Sequence, residues 1–240
     1  MFILWYAGLS LYFIGAVIII IYWLPKFLFI ALLERLYPDV VTRLNNTGAI
    51  CLTFDDLPDG NHKEIINILD QYEMKATFFV ISSQINYDNI NDFVEAVRNG
   101  HQLGNHGDTN SAHYFKSKDE LETEIIKCDF VIKRIYELAE VPLPTTMCYR
   151  PGCGLFGGQM LDITKKLGYK LALGSVYPND PVIRNGIINY YYLKMHIQAD
   201  DIVILHDRAW TVAVLERLLP WLQANHLTSI TLNNALKIEQ

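Results

Sequence analysis

Polar residues that can carry out acid–base and metal chemistry follow four short apolar runs of the sequence. Each group alone has an ordinary structural role, as a helix cap, a loop residue, a surface charge or a hydrogen-bonded core histidine. Their recurrence after four separate runs favours a common site instead. The groups are Asp55-Asp56, Asn105-His106, Arg150-Pro151-Gly152 and His206-Asp207.

These residue types complement one another chemically. Of two adjacent carboxylates, Asp55 and Asp56, one can bind a metal ion while the other acts as a base. His106 supplies a second metal ligand. Arg150 can keep the base ionised, and His206 can protonate a leaving group. The set therefore predicts general acid–base catalysis beside a metal ion.

The elements that must position these residues alternate between short β-rich runs and longer amphipathic runs beyond about residue 45. Such alternation is typical of repeated βα units and a parallel sheet, closed as a barrel or open and doubly wound. In both architectures the ligand site lies at the carboxyl ends of the strands, where the four groups stand. We predict seven strands, over 49–54, 76–81, 101–105, 146–149, 171–175, 202–205 and 228–231. Helices are predicted at about 62–72, 90–99, 118–139, 158–167, 187–197 and 212–225.

From about Gly48 to the C-terminus, the chain resembles the polysaccharide deacetylases with a NodB-homology domain, also called carbohydrate esterase family 4. Five short motifs occur in the family's order, and together they form a specific signal. They are TFDDLP at 53–58, GNH at 104–106, RPGCG at 150–154, SVYPND at 175–180 and ILHD at 204–207. The resemblance implies an α/β fold, a distorted (β/α)7 TIM-like barrel, which agrees with the seven predicted strands.

The resemblance also implies an activity, the metal-dependent removal of an acyl group from an N-acylated sugar. Carried over to matching positions, Asp55 is the general base and His206 the general acid. Asp56 and His106 are metal ligands, and Arg150 orients the base. The implied cofactor is a divalent metal, with zinc as the expected ion.

The second motif departs from the family at one metal ligand. Most members have another histidine four residues after the first, and this chain has Asn110 there. We take Asn110 as the third ligand, with two alternatives: Asp108, and His113, which would share a face with His106 if the segment were helical. An amide oxygen is a neutral ligand that holds zinc weakly. The site is therefore expected to hold its metal weakly, to use another metal or a shifted ligand, or to have lost the metal.

Four residues are predicted to contact substrate. Tyr177, in place of the family's usual fourth motif, supplies an apolar wall for a sugar, and Asp180 supplies a polar rim. Tyr149 and Pro151, on either side of Arg150, complete the set.

The N-terminus predicts a membrane anchor. Residues 1–25 include no charged residue, and 2–23 are long enough to cross a bilayer as a helix. A cleaved signal peptide is disfavoured because it normally has a basic start and a small-residue cleavage site, and a core helix rarely runs so long without a polar face. Lys26, Arg35 and Arg43 follow the span and favour a cytoplasmic domain, although the side of the membrane stays open.

The predicted organisation is an anchor over 1–25, a juxtamembrane linker over 26–45 and the deacetylase domain over 46–240. The 240 residues carry 20 Lys plus Arg and 26 Asp plus Glu, for a net charge of −6. Without a basic run, nucleic acid is excluded as a partner. The four cysteines match neither a zinc-knuckle spacing nor a redox pair.

Three functions follow, in order of preference. The first is a single-pass, membrane-anchored deacetylase of N-acetylated glycans. The second performs the same chemistry on a lipid-linked sugar, where a short tether raises the effective substrate concentration. The third is a degraded, non-catalytic glycan-binding or scaffold protein. Retention of Asp55, Asp56, His106, Arg150 and His206 argues against the third, because a binding module needs no acid and base.

Overall fold

The computed structural model describes residues 27–238, and the side chains from Ile30 onward. Six strands are present: β1 (Cys51–Leu57), β2 (Ala76–Val80), β3 (Gln102–Asn105), β4 (Met147–Tyr149), β5 (Tyr169–Leu171) and β6 (Ile202–His206). The helices are α1 (Phe27–Leu36), α2 (His62–Gln71), α3 (Ile90–Arg98), α4 (Lys118–Ala139), α5 (Gly158–Lys166), α6 (Gly186–His196), α7 (Ala209–Ala224) and α8 (Leu232–Ile238). Short 3₁₀ turns cover Ser82–Gln84, His113–Phe115 and Gly152–Gly154.

The strands form one parallel sheet in the order β5-β4-β3-β2-β1-β6. The chain after β5 returns to the other edge, where Val176 bridges Val203 of β6. This contact curls the sheet toward a barrel. All strands point the same way, so their carboxyl ends gather at one end of the molecule, as the βα pattern predicts.

The described residues contain six strands and not the predicted seven. Residues 228–231 make only an isolated bridge, between Ile50 and Ser229. The Ile50 N–H donates to Thr228 O, and the Ile230 N–H donates back to Ile50 O. Because α8 begins at Leu232, the segment ends before it can extend this pairing.

The core follows from the apolar patterning. Every residue of β1 and β2 is buried, as expected for strands covered on both sides. The helices contribute one apolar face each, and α4 begins at a capping box in which Ser117 and Glu120 satisfy each other's backbone N–H groups. The sequence predicts the bounds of α4 correctly. Cys51, Cys128 and Cys148 are buried, and Cys153 is exposed.

The segment predicted as a linker packs onto the domain instead. Val40, Val41 and Leu44 are buried. The Val41 N–H donates to Leu171 O at 2.9 Å, and the Leu44 N–H donates to Asp200 O at 2.8 Å. Apolar side chains at these positions have a core to bury against, so the domain begins before residue 46.

The predicted membrane helix over 2–23 lies outside the described residues. Within residues 27–238, none of the helices is both long and apolar enough to cross a bilayer. The apolar residues 27–33 form the first part of α1, which extends to Leu36.

Candidate active site

The end of β1 is deformed so that two consecutive carboxylates face one site. In a regular strand, Asp55 and Asp56 would point to opposite sides of the sheet. The β1–β2 register shifts between Phe54 and Leu57, and Asp56 adopts a left-handed backbone with φ of 64°. Such a bulge redirects side chains next to many active sites. Asp55 and Asp56 therefore both line the same cavity.

Arg150 fixes the position of Asp55. Arg150 is 1% exposed. Its guanidinium lies 4.0 Å over the Phe79 ring and donates from Nη1 to Asp55 Oδ1 at 2.7 Å. The same nitrogen donates to Thr53 Oγ1, while Nε and Nη2 donate to the carbonyls of Ala172 and Leu173. Bound on several sides, Arg150 holds one oxygen of Asp55 in a fixed place and provides a buried positive charge beside it.

His106 and Asp56 form the second part of the site. His106 Nδ1 lies 2.8 Å from Arg150 O, so this nitrogen carries the proton and Nε2 keeps a free lone pair. His106 Nε2 faces Asp56 Oδ1 at 3.5 Å. Arg208 Nη2 binds the other oxygen, Oδ2, at 2.6 Å. Burial opposes ionisation of Asp56, but its interactions with His106, His206 and Arg208 hold its pKa well below the usual range.

His206 is paired with a buried carboxylate. Its Nδ1 lies 2.9 Å from Asp180 Oδ1, and its backbone N–H donates to Asp180 Oδ2 at 3.0 Å. Burial disfavours the imidazolium, but the hydrogen bond and charge of Asp180, with the charges of Asp55 and Asp56, outweigh it and raise the pKa of His206. His206 is therefore suited to donate a proton from Nε2 at neutral pH.

Replacing Asp180 should change the pH dependence of catalysis. A general acid is lost as the pH rises through its pKa, so the raised pKa of His206 extends activity toward alkaline pH. In Asp180→Asn, the negative charge that raises the pKa of His206 is removed, while burial still lowers that pKa. The alkaline limb of kcat should therefore move to lower pH. We expect kcat at neutral pH to fall about tenfold or more. A pH–rate profile checks this, and a limb at the wild-type position would show that Asp180 does not set the pKa of His206.

The three candidates for a third ligand lie in different surroundings. Asn110 is exposed and lines the cavity. His113 is buried: its Nδ1 accepts from the Gly152 N–H, and its Nε2 lies 3.3 Å from Thr109 O. Burial and the charge of His106 lower its pKa to about 4, so it is neutral. Asp108 binds Ser82 Oγ and Lys127 Nζ.

The helical spacing expected after His106 is absent, since residues 108–111 form bends. Without a helix, the regular spacing that would align His113 with His106 is lost, but the two rings still meet edge-on with their centroids 6.2 Å apart. The ring nitrogens of His113 bond to the surrounding loops. Asn110 lines the cavity together with Asp56 and His106. In the described residues, His, Cys, Asp and Glu side chains do not form a group of three that could hold a metal ion.

A cavity of about 560 Å³ contains most of the predicted site. Pro151 and Tyr177, two of the predicted substrate contacts, line it. Tyr149 and Asp180 are placed differently. Tyr149 is buried with its hydroxyl 2.8 Å from His113 Nδ1, and Asp180 is buried behind His206, so neither forms the cavity wall. The lining consists of Ile30, Leu33, Asp55, Asp56, His106, Asn110, Arg150, Pro151, Cys153, Gly154, Leu173, Gly174, Ser175, Tyr177, Pro181, Ile204 and His206.

Two features of the site escape the sequence analysis. Arg208 pairs with Asp56, and its position two residues after His206, just past a strand end, is the signal that could have identified it. Ile30 and Leu33 of α1 form part of the cavity wall, although they precede the first motif. Their apolar character alone does not distinguish them from core residues.

The curled parallel sheet gathers carboxylates, histidines and an arginine in one cavity at its carboxyl end, where (β/α)-barrel enzymes have their active sites. Residues 43–172 match the model of the polysaccharide deacetylase family. The chain is 30% identical over 207 residues to a peptidoglycan-N-acetylglucosamine deacetylase of Bacillus cereus, covering 80% of this chain and 90% of that protein. The chain belongs to the polysaccharide deacetylase family, as its motifs predict, and is a hydrolase of carbon–nitrogen bonds.

Solved structures agree on the fold. A family 4 pseudoenzyme from Bacillus anthracis superposes with a TM-score of 0.72 at 21% identity, covering 85% of this chain and 71% of that one. A family 4 acetyl xylan esterase from Clostridium thermocellum, in complex with a cobalt ion, gives 0.70 at 22% identity, covering 79% and 91%. The predicted NodB-type fold is thus supported as a curled parallel sheet surrounded by helices.

Proposed function

We propose that the protein is a metal-dependent deacetylase that hydrolyses the N-acetyl group of a sugar in a glycan, and that residues 1–25 anchor it in a membrane. The observation that carries the reaction is the convergence of Asp55, Asp56, His106 and His206 in one cavity. A scaffold would need neither the buried Arg150–Asp55 pair nor the Asp180–His206 pair.

The side chains present fit a divalent ion. Asp56 Oδ1 and His106 Nε2 face each other at 3.5 Å, and the hydrogen bond from Nδ1 to Arg150 O orients the imidazole as in many metal-binding histidines. Asn110 adds an amide oxygen. Mixed oxygen and nitrogen donors suit zinc or cobalt, and the cobalt-bound esterase is a relative in fold. When bound, such an ion polarises an amide carbonyl and lowers the pKa of a water molecule.

The residues of the chain then divide the proton transfers between them. Asp55, held by Arg150, accepts a proton from the attacking water as the water oxygen bonds to the acetyl carbon. His206, held by Asp180, donates its proton to the sugar nitrogen as the carbon–nitrogen bond breaks. Acetate and a free amino sugar are the products. Pro151 and Tyr177 border the space for the sugar ring.

Restoring the family's histidine should strengthen metal binding. Asn110 offers a neutral oxygen from the cavity wall, whereas an imidazole is a stronger zinc ligand. Asn110→His should lower the zinc dissociation constant at least about tenfold, which is about 1.4 kcal/mol. Calorimetric titration of the metal-free full-length protein measures this. His113→Ala is the matched control and should leave the zinc affinity within about threefold of the wild type. If His113→Ala weakens zinc binding and Asn110→His does not change it, His113 is the ligand.

Acetate release tests the proposed reaction. The full-length protein with zinc is incubated with N-acetylated glucosamine oligomers and with a peptidoglycan digest. Mass spectrometry should detect free amino sugars in equal amounts to acetate. If neither substrate yields acetate and free amino sugar although zinc is bound at stoichiometric levels, this function is rejected. The scaffold alternative then remains.

A further inference from the structure

Exposed apolar side chains surround the cavity at the carboxyl end of the barrel. Tyr87, Phe115 and Val182 are 97%, 77% and 81% exposed. They belong to loops after different strands, and Leu155 occupies a fourth loop. We define the apolar rim as Leu32 and Leu36 of α1, Tyr87 after β2, Phe115 after β3, Leu155 after β4 and Val182 after β5.

The opposite end of the barrel exposes fewer large apolar side chains in its loops. Within residues 27–238, Leu143 is exposed in the loops that lead from helices into β2 to β6, and Leu138 and Met195 are exposed in the last turns of α4 and α6. Apolar residues scattered over a surface need no explanation, but their concentration around one opening marks an interaction surface. The apolar rim is therefore a candidate interaction surface.

The course of α1 indicates a partner for this surface. Ile30 and Leu33 line the cavity, and Tyr37, just after α1, packs edge-on against Phe156 at 5.0 Å. Residues 1–25, which carry no charge, directly precede this part of the chain in the sequence. Ile30 follows the end of the predicted membrane span at Trp23 by seven residues, which extend over at most about 25 Å, so that span would hold the cavity close to the bilayer.

We propose that the apolar rim rests on a lipid bilayer and that the site receives an N-acetylated sugar carried on a lipid. The rim enters only the interfacial layer, since Asp59 and Asp88 in neighbouring loops stay in water. Ile30 and Leu33 give the cavity an apolar wall on the side where the lipid would leave the sugar. The identity of the substrate rests on the proposed function, whereas the docking itself does not.

Fluorescence quenching by lipids tests the docking. The full-length protein is reconstituted in phosphatidylcholine–phosphatidylglycerol vesicles with a fluorophore at Phe115→Cys, Val182→Cys or the control Leu143→Cys, all in a Cys153→Ser background. The other three cysteines are buried and escape labelling. Lipids spin-labelled near the headgroup should quench the two rim labels at least about twofold and leave the control unchanged.

Either of two results would overturn the docking. Equal quenching at all three sites would show no preferred face. If neither iodide nor spin-labelled lipids quench the rim labels, protein covers the rim. That protein would be either residues 1–25 or a second copy of the chain.

Matched variants test the substrate. Phe115→Ser with Val182→Ser should reduce deacetylation of an N-acetylglucosamine glycolipid in vesicles at least about fivefold, with activity on soluble oligomers unchanged. The control is Ile126→Ser with Phe130→Ser, exposed apolar residues on α4 that should change neither activity. Equal losses on both substrates would reject the lipid-borne substrate. If the wild type deacetylates neither substrate but spin-labelled lipids still quench the rim labels, the proposed function is rejected and the docking is retained.

Discussion

Asp55→Asn should lower kcat by about 10³-fold while leaving bound zinc in place. A positioned general base contributes about 10²–10⁴-fold, and an amide cannot take the proton of the attacking water. The substitution is conservative in structure, because an amide oxygen still accepts the 2.7 Å hydrogen bond from Arg150 Nη1. Steady-state acetate release and elemental analysis of zinc measure the two quantities.

Two further variants make that result specific. Asp56→Ala should lose both activity and metal, because Asp56 Oδ1 faces the free nitrogen of His106. Asp39→Asn, at an exposed site, should retain both. Activity of Asp55→Asn within tenfold of the wild type would mean that another group accepts the proton. Full zinc content in Asp56→Ala would remove Asp56 from the metal site.

The sequence predicts well those features that depend on local periodicity. The amphipathic pattern defines α4 at both ends, and β-rich runs locate β1 to β6 to within a few residues. Because parallel strands share one carboxyl end, the motifs also predict that Asp55, His106, Arg150 and His206 meet. Such predictions need only the repeat of the elements and a common direction of the strands.

Features set by backbone irregularity or distant packing are not predictable in this way. The left-handed Asp56 turns both carboxylates to one side, and bends after His106 separate Asn110 from His113. The salt bridge from Arg208 joins residues 152 positions apart in sequence. Residues 228–231 look like a strand, but a single bridge is formed because α8 follows at once. Each of these outcomes depends on tertiary contacts that a periodic pattern does not encode.

Arg150→Met should destabilise the fold by at least about 3 kcal/mol. Removing one partner of a buried ion pair typically costs about 3–5 kcal/mol, because the remaining charge loses both water and its counter-ion. Here the buried Asp55 carboxylate would remain, and the carbonyls of Ala172 and Leu173 would lose their donors. Urea unfolding of the full-length protein measures the change in free energy.

A double-mutant cycle separates the charge effect from lost packing over Phe79. Adding Asp55→Asn to Arg150→Met removes the unpaired charge and should recover about 1–2 kcal/mol, which is within the range of coupled neighbours. The exposed pair of Arg134 and Glu137 provides the control, since Arg134→Met should change stability by less than about 0.5 kcal/mol. If the double variant is as unstable as Arg150→Met alone, Arg150 stabilises the barrel through its carbonyl hydrogen bonds and ring contact. Its role toward Asp55 would then be confined to catalysis.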